Sequence, residues 1–211
     1  MIVIRSFDVN KPGEEAESFK GGVAGGTILK GCLKVGDEIA IRPGKLTRST
    51  STGRTSWTEI RSVILTLKAD SNQLMYAIPG GLIAVGTKVD PQFTRSDNMV
   101  GQIIGHPGNM PEVFIEIDVK TKFLKRIVGS KQENKIENIR TDEILLINIG
   151  STSCGGTVIS VRDDNARILL TKHVCAIEGD KIALSRNIER NFRLIGWGEI
   201  IKGYEVPNQR M

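Results

Sequence analysis

Two glycine-rich stretches are where the main chain of this protein could meet a ligand. Gly21-Gly22-Val23-Ala24-Gly25-Gly26, followed by Thr27-Ile28-Leu29-Lys30-Gly31, sets five glycines in eleven residues. Without Cβ atoms such a backbone can turn sharply and approach other groups closely. Pro79-Gly80-Gly81 is a second glycine turn, with Tyr76 just ahead of it. The alternative is that these glycines only shape the corners of a barrel. Residues 45–58 are rich in Ser and Thr, carry Lys45, Arg48 and Arg54, and contain no acid. They read either as a solvated hairpin tip or as a basic finger reaching toward phosphates. Trp57 either stacks on a base or anchors that segment in the core. Other chemistry is sparse. Cys32, Cys154 and Cys175 are odd in number and far apart, so neither a disulfide framework nor a zinc knuckle is expected. His106 and His173 have no acid partner nearby in sequence. There is no Gly-x-x-x-x-Gly-Lys-Ser/Thr phosphate loop, no Gly-x-Ser-x-Gly elbow and no metal-binding spacing. The carboxylates lack the apolar surroundings that retune a pKa for acid–base work. No catalytic centre and no metal are expected within these residues.

The chain has 211 residues, enough for one large or two small domains. Aromatics are only 5% of it, so Ile, Val and Leu must fill the cores. No apolar run reaches 18 residues, and no membrane span is expected. The opening Met1-Ile2-Val3-Ile4-Arg5 is too short for the apolar part of a signal peptide. Scattered, unpaired cysteines point to a reducing, cytoplasmic setting. A net charge of +5 favours an anionic partner such as RNA.

The elements that must position these stretches read as strands. Residues 2–9 are β-rich and stop at Asn10-Lys11-Pro12-Gly13. Residues 32–42 alternate apolar and polar around Val35-Gly36-Asp37, the pattern of a hairpin, and Arg42-Pro43-Gly44 is expected to end it. Further strands are expected over 59–67, 73–78, 82–89, 99–104, 112–119, 143–149, 157–162, 167–174, 182–186 and 192–201. Turns such as Asp70-Ser71-Asn72, Gly155-Gly156 and Asp163-Asp164-Asn165 separate them. Residues 120–138 are strongly charged and allow one short helical turn or a long loop, with Phe123, Ile127 and Val128 as the apolar points. Gly105-His106-Pro107-Gly108-Asn109-Met110-Pro111 is the best linker, with two prolines and two glycines in seven residues. Short strands at this spacing, with almost no helical periodicity, predict an all-β chain of barrels or sandwiches, divided at that linker into residues 1–110 and 111–211.

Longer strings carry a family resemblance. Val3-Ile4-Arg5-Ser6-Phe7-Asp8-Val9-Asn10-Lys11-Pro12-Gly13 resembles the opening of domain II in the gamma subunit of eukaryotic and archaeal translation initiation factor 2. Lys34-Val35-Gly36-Asp37-Glu38-Ile39-Ala40-Ile41-Arg42-Pro43-Gly44 and Pro79-Gly80-Gly81-Leu82-Ile83-Ala84-Val85-Gly86-Thr87 continue the likeness. Lys181-Ile182-Ala183-Leu184-Ser185-Arg186 and Arg193-Leu194-Ile195-Gly196-Trp197-Gly198 extend it into the second half. The resemblance implies two consecutive antiparallel β-barrels of the elongation factor Tu type, domains II and III of a longer protein whose GTP-binding domain these residues do not match. It places GTP, Mg²⁺ and GTP hydrolysis outside this chain, leaving these residues without a cofactor of their own. It implies as partners initiator methionyl-tRNA, the small ribosomal subunit, the alpha subunit through domain II, the beta subunit chiefly through the unmatched domain, and an assembly chaperone at domain III. It also aligns Val23, Ala24, Gly25 and Gly26, and the stretch Tyr76, Pro79, Gly80 and Gly81, with loops near the tRNA terminus or the alpha subunit. Tyr76 is then either a stacking residue for a base or a core or alpha-subunit contact. Lys45, Arg48, Arg54, Lys122, Lys125, Arg126, Arg190 and Arg193 are candidate RNA-backbone contacts, or else solvated faces. A selenocysteine-specific or other tRNA-delivering elongation factor is the alternative within the same superfamily.

Overall fold

A computed structural model describes residues 1–11, 13, 20–48, 50, 55–126 and 136–205. The described chain is all-β, with two short 3₁₀ turns at Pro91–Phe93 and Arg95–Asp97. It divides into two compact units, residues 1–110 and 111–205.

The first unit contains β1 (Ile2–Phe7), β2 (Val23–Thr27), β3 (Leu33–Lys34), β4 (Glu38–Arg48), β5 (Thr55–Ala69), β6 (Asn72–Leu74), β7 (Tyr76–Ala77), β8 (Leu82–Thr87) and β9 (Ile103–Gly105). Six of them run β4-β9-β1-β2-β8-β5, and the pairing of β5 with β4 closes an antiparallel barrel. Strand β6 adds to β5, while β3 and β7 form a separate two-stranded ribbon. Alternate residues point inward, and Val3, Ile39, Ile41, Ile64, Leu67, Val85 and Ile104 fill the barrel.

The second unit contains β10 (Glu112–Phe123), β11 (Ile144–Ile149), β12 (Thr152–Arg162), β13 (Asn165–Ala176), β14 (Lys181–Ile188) and β15 (Asn191–Glu205). These close in the order β10-β13-β12-β11-β14-β15. Branched aliphatics dominate its core, among them Ile117, Val119, Leu145, Ile147, Ile168, Leu184 and Ile195. On its outer face, Arg167 grips Asp118 with two hydrogen bonds of 2.8 and 3.1 Å, and the Tyr204 hydroxyl donates to the same carboxylate at 2.8 Å. That staple ties β13, β10 and β15 together.

Several glycines expected to turn the chain instead lie inside strands. Val23, Ala24, Gly25 and Gly26 form β2, paired on one edge with β1 and on the other with β8. The physical reason is crowding: a Cβ on Gly26 would sit 1.9 Å from the Ile2 carbonyl oxygen. Gly155 and Gly156 likewise lie within β12, where a Cβ on Gly156 would meet Ile147 Cδ1 at 2.3 Å. Arg42-Pro43-Gly44 does not end a hairpin. It forms a bulge within β4, where the register against β5 slips between Ile41 and Lys45 and Gln102 Oε1 accepts from Gly44 N at 2.9 Å. The expected strand at 73–78 is split, because Met75 is neither in β6 nor in β7.

Two outcomes follow. Gly26→Ala is expected to lose about 1–3 kcal/mol of unfolding free energy through overpacking against main chain, whereas Gly25→Ala, whose Cβ would meet Arg5 Cβ at an ordinary 3.5 Å, stays near wild type. Denaturant titration compares them, and equal losses would remove crowding as the reason for Gly26. The second concerns His173 of β13, which is buried with no hydrogen-bond partner for Nε2. Burial lowers its pKa, so below about pH 6.5 the unfolded chain takes up a proton that the folded chain refuses. Stability is expected to fall as pH drops through that window. Asp118, held below the usual carboxylate range by Arg167, contributes only at more acidic pH. A His173→Gln variant that keeps the full slope between about pH 6.5 and 5 would assign the acid sensitivity to other groups.

Candidate functional site

The first unit presents an apolar rim. Pairing of β2 with β8 ends at Thr27 opposite Leu82, and the β3–β7 ribbon resumes with Leu33 opposite Ala77 and Lys34 opposite Tyr76. Between those pairs the segments 28–32 and 78–81 run side by side without strand pairing. Ile28, Leu33 and Ala77 point into the core and are buried. Leu29, Met75, Tyr76, Ile78 and Leu82 point out, all between 60% (Ile78) and 76% (Met75) exposed. Single exposed apolar residues are ordinary on a protein surface, but these five lie on or beside the segments that two strand pairings, β2 with β8 and β3 with β7, bring to one end of the unit. Pro79, Gly80 and Gly81 are exposed at its tip, and the glycines take φ values of 147° and 148° that side-chain-bearing residues rarely adopt.

The rim rests on a braced base. Val35 N donates to Met75 O at 3.0 Å, and Gly36 N to Ile64 O at 2.8 Å. Asp37 closes the turn by accepting from Lys34 N at 2.8 Å, and His106 Nε2 lies 3.0 Å from the same carboxylate oxygen. The His106 hydrogen bond, and after it the Lys34 amide, hold the Asp37 carboxyl below its ordinary pKa. The pairing of His106 with Asp37 spans 69 residues, which is why neighbouring sequence gave no hint of it.

The other glycine stretch is not available in the same way. With β1 and β8 on its two edges, β2 commits its main-chain groups to the barrel. Gly22, just ahead, donates to Val89 O at 2.8 Å and accepts from Thr87 N at 3.1 Å. The structure thus places Val23 to Gly26 within a paired strand and Pro79 to Gly81 in an exposed loop.

The basic candidates fall into separate groups. Lys45 and Arg48 extend along the exposed outer part of the β4–β5 ribbon, opposite Thr58 and Thr55; Arg54 lies outside the described residues. Trp57 is buried at the base of that ribbon, with the Arg42 guanidinium 5.5 Å from its ring centroid and Arg42 Nε 2.8 Å from Glu59. In the second unit, Leu124 N donates to Ile195 O at 2.9 Å, leaving exposed Lys125 and Arg126 at the barrel end where Arg190 turns from β14 into β15 and Arg193 follows. Arg193 stands opposite Arg186, whose guanidinium is held by Glu143 and by the carbonyls of Glu137 and Asn138. Lys122 stands opposite Trp197 on β15. The sequence reading missed Lys181, whose ammonium reaches the same indole from β14. Among the described residues, no group of His, Cys, Asp and Glu side chains is arranged to hold a metal ion.

Comparison with known proteins gives a consistent result. Residues 115–200 match the family described as "Initiation factor eIF2 gamma, C terminal". The chain is 50% identical over 207 residues to eukaryotic translation initiation factor 2 subunit gamma of Schizosaccharomyces pombe, covering 96% of this chain and 46% of that protein. It is also 50% identical over 211 residues to eukaryotic translation initiation factor 2 subunit 3 of Drosophila melanogaster, covering 98% of this chain and 44% of that protein. The chain therefore spans a little under half the length of these relatives. Among solved structures, a bacterial selenocysteine-specific elongation factor superposes with a TM-score of 0.67 at 19% identity, over 96% of this chain and 28% of that one. At that identity the likeness concerns the fold alone.

If the rim is a docking surface, its side chains contribute little to folding. Met75→Ser together with Leu82→Ser is expected to change the unfolding free energy by no more than about 0.5 kcal/mol per site, as for surface positions generally. A loss of several kcal/mol in thermal or denaturant unfolding would make the rim part of the core.

Proposed function

We infer that this chain, which belongs to the gamma-subunit family of translation initiation factor 2 over the length it spans, supplies the two β-barrels on which partners of a translation initiation complex assemble. In this reading the rim of the first unit docks the alpha subunit. The observation that carries it is the exposed apolar group Leu29, Met75, Tyr76, Ile78 and Leu82 on a hydrogen-bonded base. Interfaces draw most of their binding energy from a few aromatic and aliphatic anchors, and charged residues are depleted at their centres. The rim has that composition, with Lys30 and Lys34 at its border. A braced base lowers the entropic cost of binding because few groups need ordering.

A second reading is favoured by the exposure of Tyr76 opposite Lys34: the tyrosine ring stacks on a terminal base of initiator methionyl-tRNA while the lysine faces a phosphate. Either way the chain's contribution is positional. GTP and Mg²⁺, GTP hydrolysis and the principal beta-subunit contacts are assigned to the part of the protein outside these residues, and the assembly chaperone to the second unit. Delivery of initiator tRNA to the small ribosomal subunit belongs to the whole protein. The tRNA terminus would lie between the first unit and the nucleotide-binding part, whose movement opens or closes that cleft.

One titration separates the readings. Purified alpha subunit, and separately charged and uncharged initiator tRNA, are added to this chain and to its Tyr76→Ala and Gly81→Glu variants. Both variants are expected to weaken alpha-subunit binding at least tenfold, about 1.4 kcal/mol or more; Tyr76→Ala is expected to keep its melting temperature, whereas Gly81→Glu puts a side chain at φ 148° and is expected to lower it while remaining folded. Binding of tRNA to the barrels alone is expected to be weak, because half of the cleft is elsewhere. Undiminished alpha-subunit binding by folded variants removes the rim from that interface, and tight methionine-dependent tRNA binding by this chain contradicts the shared cleft.

A further inference from the structure

The β3–β7 ribbon that carries Tyr76 has only two residues in each strand. A two-stranded ribbon is marginal by itself, so the set of Tyr76 and of its neighbour Met75 depends on what holds the ribbon in place. Leu33 and Ala77 hold it from below, buried in the core. The other hold comes from two tight turns. In the first, Asp37 N donates to Lys34 O at 3.2 Å, and Gly36 takes φ 92°. In the second, Asn109 N donates to His106 O at 3.2 Å, and Gly108 takes φ 82°. A bond between the first and fourth residues, with positive φ at the third, marks a type II turn. Glycine meets that requirement in both, and Pro107 pre-sets the second position of the later one.

The two turns meet through the side chains at their ends. His106 opens one, Asp37 closes the other, and His106 Nε2 lies 3.0 Å from Asp37 Oδ2. The same oxygen accepts from Lys34 N at 2.8 Å. Lys34 is the strand partner of Tyr76, and Val35, next in the chain, donates to Met75 O at 3.0 Å. A path of hydrogen bonds and strand pairing thus leads from an imidazole at the end of β9 to the backbone of Met75 and Tyr76. Charge-assisted hydrogen bonds are stronger than neutral ones, so a cationic imidazole holds this carboxylate more firmly than a neutral imidazole does. Histidine is the side chain whose charge changes near neutral pH. Asp37, held below its ordinary range first by His106 and then by the Lys34 amide, stays a carboxylate there. Around the pair stand Lys34 of the same turn, Glu38 at the start of β4, and Arg61 of β5. Arg61 lines a shallow concavity with Glu38 and Pro107 and is bonded to Glu59 at 3.1 Å.

We propose that His106 is a positioning residue for the rim: acting through Asp37 and the Lys34 amide, its charged form holds Met75 and Tyr76 in the arrangement that a partner binds, so that docking is coupled to proton uptake. That the partner is the alpha subunit rests on the docking reading above; the link from His106 to the ribbon does not.

The test measures binding of purified alpha subunit by the 211-residue chain between about pH 8 and pH 6. The same series is run on His106→Gln, which keeps a neutral hydrogen-bond donor, and on Asp37→Asn, which keeps an acceptor for Lys34 N. Titration of the alpha subunit itself is common to all three and cancels in their ratios. As the pH falls, the wild-type chain is expected to gain roughly threefold in affinity over His106→Gln, the scale of a partly exposed ion pair. Asp37→Asn is expected to lose the same gain, and combining the two changes to lose nothing more. Melting temperatures are expected to stay level. In the free wild-type chain, the NMR signals of the Lys34 amide and the Tyr76 ring are expected to follow the titration of the His106 imidazole, and in His106→Gln to lack that step. Parallel binding profiles for wild type and His106→Gln, with Tyr76→Ala still weakening both, overturn the proposal. So does a Lys34 amide that ignores the imidazole titration. If Tyr76→Ala leaves alpha-subunit binding intact, the docking reading fails, and the NMR titration alone decides whether His106 positions the rim.

Discussion

Close main-chain approach where each sheet curls into a barrel is the constraint on which the rest of this structure depends. Six antiparallel strands meet their own edge only if they tilt and coil, and this brings strands into contact at points where a side chain has no room. Gly26 against the Ile2 carbonyl is such a point in the first barrel, and Gly196 against the Lys122 carbonyl is one in the second. At both, the glycine keeps an extended conformation. The missing Cβ serves packing rather than turning. Once β2 is seated between β1 and β8, the ends of its pairing are fixed, and the segments beyond Thr27 and before Leu82 have to pass around the barrel's end. The rim is therefore a consequence of closure: core-facing Ile28, Leu33 and Ala77 hold the two segments down, and their alternate neighbours face solvent.

The all-β class and the alternation of residues 112–119 were legible, because period-two patterning and turn residues at short intervals are local signals; the pair of antiparallel barrels followed from the family resemblance, since patterning alone leaves barrels and sandwiches open. The functions of the glycines were not. A glycine that turns the chain and a glycine that lets another strand approach are the same letter, and only the partner strand distinguishes them. This is why Val23 to Gly26 read as a ligand loop, Gly155-Gly156 as a turn and Arg42-Pro43-Gly44 as a terminus, although all three lie within strands. The rim was only half legible. Tyr76 and the glycines beside it stood out in sequence, but Leu29 comes near Leu82 only because Thr27, two residues before it, pairs with Leu82 across more than fifty residues of chain. The contacts of His106 with Asp37 and of Lys181 with Trp197 escaped for the same reason.

The positive charge of the chain divides into two populations with different work. Several arginines are tied down: Arg42 to Glu59 above Trp57, Arg167 to Asp118 and Tyr204, Arg186 to Glu143 and two carbonyls. A guanidinium suits this use because its planar fork makes two or more directed hydrogen bonds at once and stays charged when partly buried. These arginines fasten strands or loop segments to one another, and their charge is largely neutralised where it stands. Lys122 and Lys181 differ. They make no carboxylate pair among the described residues and carry compact, well-hydrated charges on flexible stems. Net charge alone does not separate these populations, because a formal count gives an arginine inside a staple the same weight as a lysine facing solvent. Each arginine–carboxylate pair adds nothing to the +5 balance, because its acid is counted as well. The part outside these pairs includes exposed arginines such as Arg48, Arg126 and Arg190 as well as Lys122 and Lys181.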